Sequence, residues 1–344
     1  MKEGDISQSK AEDILTDKPI NPFQHLNIIL NPDGSVCRLL TSIPVVPNSD
    51  PSSGDPVLSK DSIINPTTNT FVRVYLPLKS TTAEPPRRLP IVFYFYGCSW
   101  VQFSADNPPL HLERQRTAIA ISSIIILVNY RLSPEVRLPG QYDDAMDALL
   151  WVKKQAEDDQ NGDPWLREHG DFSRCFLSGS GNGGNIAFHC AVGTVDVDLG
   201  PLRIAGVIMN QPLFGGQMRT RSELQFARDP IVPLPVLDLV WKLALPEGVD
   251  RDHYYCNPMS AGPHLAKIPF LPRCLVNGFG MDPTVDRQRD FVQMLISMGV
   301  NVEAHFEDVG FHRIEIVDPR RHDALITLYK EFISVPNLGY NIEN

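Results

Sequence analysis

An α/β fold, with a mostly parallel central sheet flanked by helices, is predicted by three features of this 344-residue chain. Short runs rich in β-branched and aromatic residues are apolar on both faces. Segments of helical period lie between them, and proline-rich connectors punctuate the alternation. A strand that is apolar on both faces must be covered on both, as a parallel strand is between two layers of helix. Repeated strand and helix alternation implies right-handed crossovers within one sheet.

The elements follow in order. MKEGDISQSKAEDILTDKPINPF is polar and acidic, without the apolar core of a signal peptide or the basic character of a transit peptide, so residues 1–24 read as a flexible N-terminus. Residues 25–335 read as one domain and 336–344 as a tail. The expected strands are FVRVYL (71–76), IVFYFY (91–96), SIIILVNY (123–130), CFLSG (175–179), IAGVIMN (204–210), CLVNG (274–278) and NVEAHFE (301–307). Helical periodicity puts Ala145, Ala148, Leu149 and Val152 on one face of 142–159. In 284–299 it aligns Val285, Phe291, Val292, Leu295 and Ile296 ahead of a Gly299 stop, and 322–333 forms a closing helix. The connectors VVPNSDPSSGDP, AEPPRRLP and DPIVPLPV read as ordered loops. Two stretches interrupt the pattern, about 25–65 and 211–260, and are expected to form a cap over the C-terminal edge of the strands, where open α/β sheets bind ligands.

Composition narrows the function. A hydrophobic content of 42% sustains one substantial core, and a net charge of −10 with scattered Lys and Arg argues against a nucleic-acid partner. No run approaches the roughly 18 apolar residues of a membrane span. Cys37, Cys98, Cys175, Cys190, Cys256 and Cys274 show neither paired nor metal-ligand spacing, and neither do His25, His111, His169, His189, His253, His264, His305 and His322, which read as surface or packing residues. The expectation is a reduced, cytoplasmic monomer or homodimer acting on a small molecule, with no cofactor, no metal, no nucleic acid and no membrane.

The segment CFLSGSGNGGNIA (175–187) has the layout of a strand, a sharp turn and a helix. In a G-x-S-x-G elbow the strained central residue thrusts a serine oxygen above the sheet. Here the register is Gly179, Ser180, Gly181, Asn182, Gly183, so the central position is a glycine. Ser180 lies one residue off the apex and is expected to point elsewhere. The Gly183-Gly184-Asn185 run lacks the Lys-Ser/Thr ending of a phosphate loop and reads as tight helix-on-strand packing.

Four motifs in order carry a family resemblance. YRLSPEVRLPGQYDDAMDAL resembles the YRLAPE segment, and GSGNGGNIAFH the GDSAGGN elbow, of the plant carboxylesterase branch of the hormone-sensitive-lipase-like α/β-hydrolases. MDPTVDRQRDF is similar to that family's acid-bearing segment, and VGFHRIEIVDP to its histidine-bearing one. The resemblance spans roughly 25–335 and implies an α/β-hydrolase fold with a cap. It places the triad acid on Asp282, the triad base on His312 and the vacated nucleophile on Gly181. The family's HGGG oxyanion motif falls on Tyr96, Gly97, Cys98, Ser99 and Trp100, with two of its three glycines replaced.

For Asp282, before Pro283 at a helix start, a turn or capping role stands beside the catalytic one, while Asp286 reads as a helix-start charge. Trp100 and Phe103 line a pocket or pack in the core. An Asp282-oriented His312 would still shuttle protons, Tyr96 would donate a hydrogen bond, and the Asn182 N–H at a helix start would face negative charge. These features imply a non-hydrolytic cyclase, lyase or dehydratase on a small plant specialised metabolite. The alternatives are a small-molecule receptor, or a carboxylesterase with a nucleophile displaced to Ser180, Ser99 or Cys98.

Overall fold

The computed structural model describes residues 19–78 and 87–335. Most of the expected flexible N-terminus (1–18), the tail 336–344 and the first half of the AEPPRRLP connector lie outside the described residues.

A two-stranded antiparallel hairpin, β1 (Ile28–Leu30) and β2 (Val36–Arg38), follows a single helical turn, α1 (Pro22–His25). Eight strands then build one sheet: β3 (Val57–Asn65), β4 (Thr70–Pro77), β5 (Leu89–Phe95), β6 (Ile124–Asn129), β7 (Gly170–Ser180), β8 (Ile204–Asn210), β9 (Cys274–Phe279) and β10 (Val302–Glu307). Their spatial order is β10-β9-β8-β7-β5-β6-β4-β3. From β10 to β6 all pairs are parallel, whereas β4 runs antiparallel to both β6 and β3. Every residue of β5 and β9 is buried, as strands covered on both faces require. The strand β3 was not anticipated. At the sheet edge its outer half alternates between half-buried and exposed, and LSKDSIIN carries too many polar residues to read as a core strand.

The described helices are completed by α2 (Pro108–Ala120), α3 (Gly140–Glu157), α4 (Pro164–His169), α5 (Asn182–Thr194), α6 (Arg221–Gln225), α7 (Leu234–Ala244), α8 (Val285–Ser297) and α9 (Pro319–Ser334). On α3 the predicted stripe Ala145, Ala148, Leu149 and Val152 is fully buried. On α8, Val285, Phe291, Val292 and Leu295 are buried, but Ile296 faces solvent, and Gly299 ends the element at φ +85°. The closing helix α9 begins at Pro319, where the Asp318 side chain accepts the Arg320 N–H.

The helix α5 is buried from Asn182 to Val192 and lies against β7. A Cβ on Gly183 would stand 1.9 Å from the Phe95 carbonyl oxygen, and one on Gly179 would stand 2.1 Å from the Gly183 carbonyl oxygen. Only backbone fits between this helix and the sheet, and that close approach sets where α5 begins.

The expected cap divides in two. Residues 57–65 are sheet, and the rest of the segment from residue 25 braces the loop after β5. Gln102 donates to the Leu26 carbonyl, Val45 N–H donates to the Asp106 carbonyl at 2.9 Å, and Asn107 donates to Ser42 at 3.0 Å. Arg38 reaches the Val101 carbonyl and forms a 2.7 Å ion pair with Glu135. Among the described residues no helix is long and apolar enough to cross a membrane.

Candidate active site

The parallel strands β5, β7, β8, β9 and β10 all end on one edge of the sheet, and the loops that leave them carry the polar residues of one cavity of about 540 Å³. Its wall includes Gly97, Cys98, Ser99, Phe103, Gly181 and Asn182. Leu213, Ile231, Val232, His312 and Arg313 complete the inner part. None of residues 25–65 lines it; of the two expected cap segments, only 211–260 contributes wall.

The turn after β9 buries Asp282 completely. Its Oδ1 accepts from the Thr284 N–H at 2.8 Å and the Thr284 hydroxyl at 2.7 Å, while Oδ2 accepts from His312 Nδ1 at 2.7 Å and Gln288 at 3.2 Å. One oxygen thus closes the local turn and the other engages the histidine. Burial opposes ionisation of Asp282, yet the His312 charge and the hydrogen bonds outweigh it and hold the carboxyl below its ordinary value. Burial likewise opposes a charge on His312, and Asp282 outweighs it, so the imidazole pKa lies above 6.5. With Nδ1 committed to Asp282, Nε2 is the atom that faces the cavity.

Gly181 joins β7 to α5 at φ 56° and ψ −123°, a conformation that L side chains rarely adopt. A Cβ built there would stand 3.6 Å from His312 Nε2, and nothing else lies within 4 Å of it. Glycine takes this backbone freely, whereas another residue would store about 1–3 kcal/mol of strain.

The loop after β5 departs from a row of free donors. The Asn182 side-chain oxygen accepts the N–H of Cys98 at 2.7 Å and of Ser99 at 2.8 Å, while its amide donates to the Tyr130 hydroxyl at 3.1 Å. Ser99 and Trp100 hold consecutive positive φ angles of 63° and 59°. The Asn182 fork offsets part of that strain by satisfying both N–H groups. Burial pushes the Cys98 thiol up to about 12, so it lines the cavity as an inert thiol.

Four of the residues expected at the site stand outside the cavity wall: Asp282, which lies behind His312, and Tyr96, Trp100 and Ser180. Tyr96 is buried, stacked on Tyr130 with ring centroids 4.4 Å apart, and its hydroxyl donates to the Phe103 carbonyl at 3.4 Å. Trp100 is fully buried against Trp241 at 4.9 Å, so it belongs to the core while Phe103 reaches the cavity. The Ser180 hydroxyl is buried between Tyr94 at 3.1 Å and Asn210 at 3.4 Å. Side chains alternate across a strand, so a residue one step from the apex faces the sheet interior.

Several cavity residues escaped the sequence reading. Glu113, Arg116, Glu315 and His322 line it, and His322 had been grouped with the surface histidines. Asp229 accepts the N–H groups of Ile231 at 2.8 Å and Val232 at 2.7 Å and so shapes the wall they form. Asp286 accepts the Ser222 N–H at 2.8 Å and ties α6 to α8. The signal for such residues is weak, because they come from loops and helices whose meeting is a matter of topology. No group of three or more His, Cys, Asp or Glu among the described residues is arranged to hold a metal.

A family model described as the α/β hydrolase fold matches residues 92–315. The chain is 48% identical over 315 residues to Probable carboxylesterase 9 of Arabidopsis thaliana, covering 91% of this chain and 97% of that protein. It is 42% identical over 318 residues to Probable carboxylesterase 8 of the same plant, covering 91% and 93%. Among solved structures it is similar in fold to the esterase LipW from Mycobacterium marinum, with a TM-score of 0.67, 22% identity, and coverage of 82% of this chain and 83% of that one.

Proposed function

Because the chain belongs to the plant carboxylesterase-like branch of the α/β-hydrolase family, we propose that it is an enzyme of that branch whose nucleophile position is vacant at Gly181, and that it carries out non-hydrolytic acid/base chemistry on a small metabolite. The observation that carries this reading is the 3.6 Å between His312 Nε2 and the place a Cβ would take on Gly181. A base oriented by Asp282 faces the spot where an acyl-forming atom would stand, and no such atom is there. In a reference serine hydrolase, removal of the nucleophile costs on the order of a millionfold in kcat.

What remains is a proton-transfer site. In an elimination, His312 Nε2 takes a proton from substrate carbon, the released C–H electron pair forms the new double bond, and the leaving carboxylate or hydroxide departs with its own bonding pair. The imidazolium, stabilised by Asp282, then returns the proton to the leaving group. General acid–base catalysis of this kind contributes about 10²–10⁴-fold. An isomerisation or cyclisation uses the same residue to move one proton, with no acyl intermediate.

The test is turnover of acylated plant metabolites in H₂¹⁸O, followed by mass spectrometry. Elimination releases a carboxylate that keeps both original oxygens, while hydrolysis places one ¹⁸O in it. Label in the released acid, together with covalent capture by a fluorophosphonate probe, would overturn the reading and revive Ser99 or Cys98 as a displaced nucleophile. A small-molecule receptor is the second reading, supported by a roomy cavity where the Cys98 and Ser99 N–H donors are already occupied by Asn182. A ligand recovered unchanged after long incubation decides for it.

A further inference from the structure

The cavity wall carries a partly buried cation that the proton-transfer chemistry does not use. Arg313 follows His312 in left-handed backbone at φ 63°, and its side chain is 13% exposed. A built polar scaffold holds it. Its backbone N–H donates to the Gln211 side-chain oxygen at 2.8 Å, and its Nε forms an ion pair, without hydrogen-bond geometry, 3.0 Å from Glu315 Oε1. Glu315 is in turn fixed by Asn210 at 2.8 Å and Gln211 at 2.9 Å, all three residues being buried. Burial disfavours the guanidinium charge, but Glu315 more than offsets that and keeps Arg313 protonated.

The scaffold engages only one end of the fork. Nη1 and Nη2 make no hydrogen bond to any described residue, and Nη1 lies over Gly97, where a Cβ would come within 2.9 Å of it. Each of the two cavity acids has a cationic partner: Glu113 pairs with Arg114 and also acts on Arg313, and Glu315 pairs with Arg313 and accepts from Asn210 and Gln211. Phe103, Leu110, Leu112, Leu213, Ile231 and Val232 give the cavity a large apolar share of its lining. With the Cys98 and Ser99 N–H groups taken by Asn182, the guanidinium stands as a charged donor beside Gly97 on the cavity wall.

We propose that Arg313 is the anchor for a carboxylate on the substrate, so that the cavity takes small, largely apolar acids with the charged end at Gly97 and the apolar body against Phe103, Leu213 and Ile231. This rests on the reading of the cavity as a substrate site. A planar guanidinium with two free Nη groups matches a carboxylate in a bidentate pair, and in a buried setting that pair discriminates strongly against a neutral isostere.

Calorimetric titration with 2-naphthoate and its neutral counterpart 2-naphthamide at pH 8 tests the anchor. Wild-type protein is expected to bind naphthoate about tenfold or more tightly than naphthamide, since a hydrogen bond to a charged group carries at least that factor. Arg313→Gln is expected to abolish the difference while leaving naphthamide affinity unchanged, and Arg313→Lys to restore part of it. Equal wild-type affinity for the two probes, or no binding of naphthoate, overturns the anchor without any variant having to fold. An equal loss for both probes in Arg313→Gln also overturns it and assigns Arg313 to propping the wall. His312→Ala separates this from the proton-transfer reading. Retained discrimination together with unaltered turnover sinks the latter and leaves the anchor standing.

Discussion

The Asn182 carboxamide oxygen accepts the Cys98 N–H at 2.7 Å, and the Ser99 N–H at 2.8 Å closes the same fork. Two of the loop N–H groups that could serve a developing oxyanion are thereby used within the ground state. On the proposed reading, the glycine at 181 and the occupied N–H groups beside it are two separate obstacles to ester chemistry.

Restoring the serine alone is therefore expected to leave hydrolysis near background. Gly181→Ser puts a Cβ 3.6 Å from His312 Nε2, a workable distance, but does not free the loop N–H groups. Gly181→Ser combined with Asn182→Ala is expected to cleave p-nitrophenyl butyrate at least about a hundredfold faster than Gly181→Ser, following the effect of one oxyanion donor. Comparable rates for the single and double variants would show that Asn182 is no obstacle.

The protonation of His312 is directly measurable. Burial pushes its pKa down and Asp282 pulls it above 6.5, so Asp282→Asn is expected to drop it below 6.5. Nitrogen-15 NMR titration of the histidine rings in both proteins reads this out. An unmoved pKa would mean that Asp282 does not stabilise the imidazolium.

Stability follows the same pair. The raised His312 pKa contributes stability that is fully present below about pH 6.5 and is lost as pH rises through the folded value. The lowered Asp282 pKa contributes above about 3.8 and is lost as pH falls through its own folded value. The destabilisation caused by Asp282→Asn is expected to be larger near pH 5.5 than near pH 9, measured by urea denaturation at each pH. An equal or reversed difference contradicts the sign of the coupling.

Gly183→Ala tests the seat of the central helix. Its Cβ would fall 1.9 Å from the Phe95 carbonyl oxygen, with backbone on both sides and no flexible side chain to yield. A loss of roughly 3 kcal/mol or more in urea denaturation is expected, at the severe end of overpacking. A loss under about 1 kcal/mol would show that α5 shifts without penalty.

Much of this architecture was legible in the residues. IVFYFY and CLVNG are apolar on both faces because they lie in a parallel sheet covered twice, and α3 shows its buried stripe as plain periodicity. Edge strand β3 was not legible, since one side faces solvent and its composition reads as connector. The helix α2 was missed as well. PPLHLERQRTAIA buries His111, Arg114 and Thr117, with Tyr75 reaching the His111 ring at 3.1 Å, and such burial has no apolar signature.

At the site, the family resemblance in four ordered motifs put forward His312, Asp282 and the glycine at 181, while the local signals at Asp282 fitted a turn or cap equally. What only the tertiary structure decided is which polar groups meet. Asn182 reaches across 84 positions to Cys98, and Gln211 across 102 to hold Arg313. Tyr96 and Trp100 turn into the core instead. Local propensity governs how each segment folds, but hydrogen-bond partners at the ends of parallel strands are chosen by sheet order, and sheet order is a long-range property that no short stretch of sequence contains.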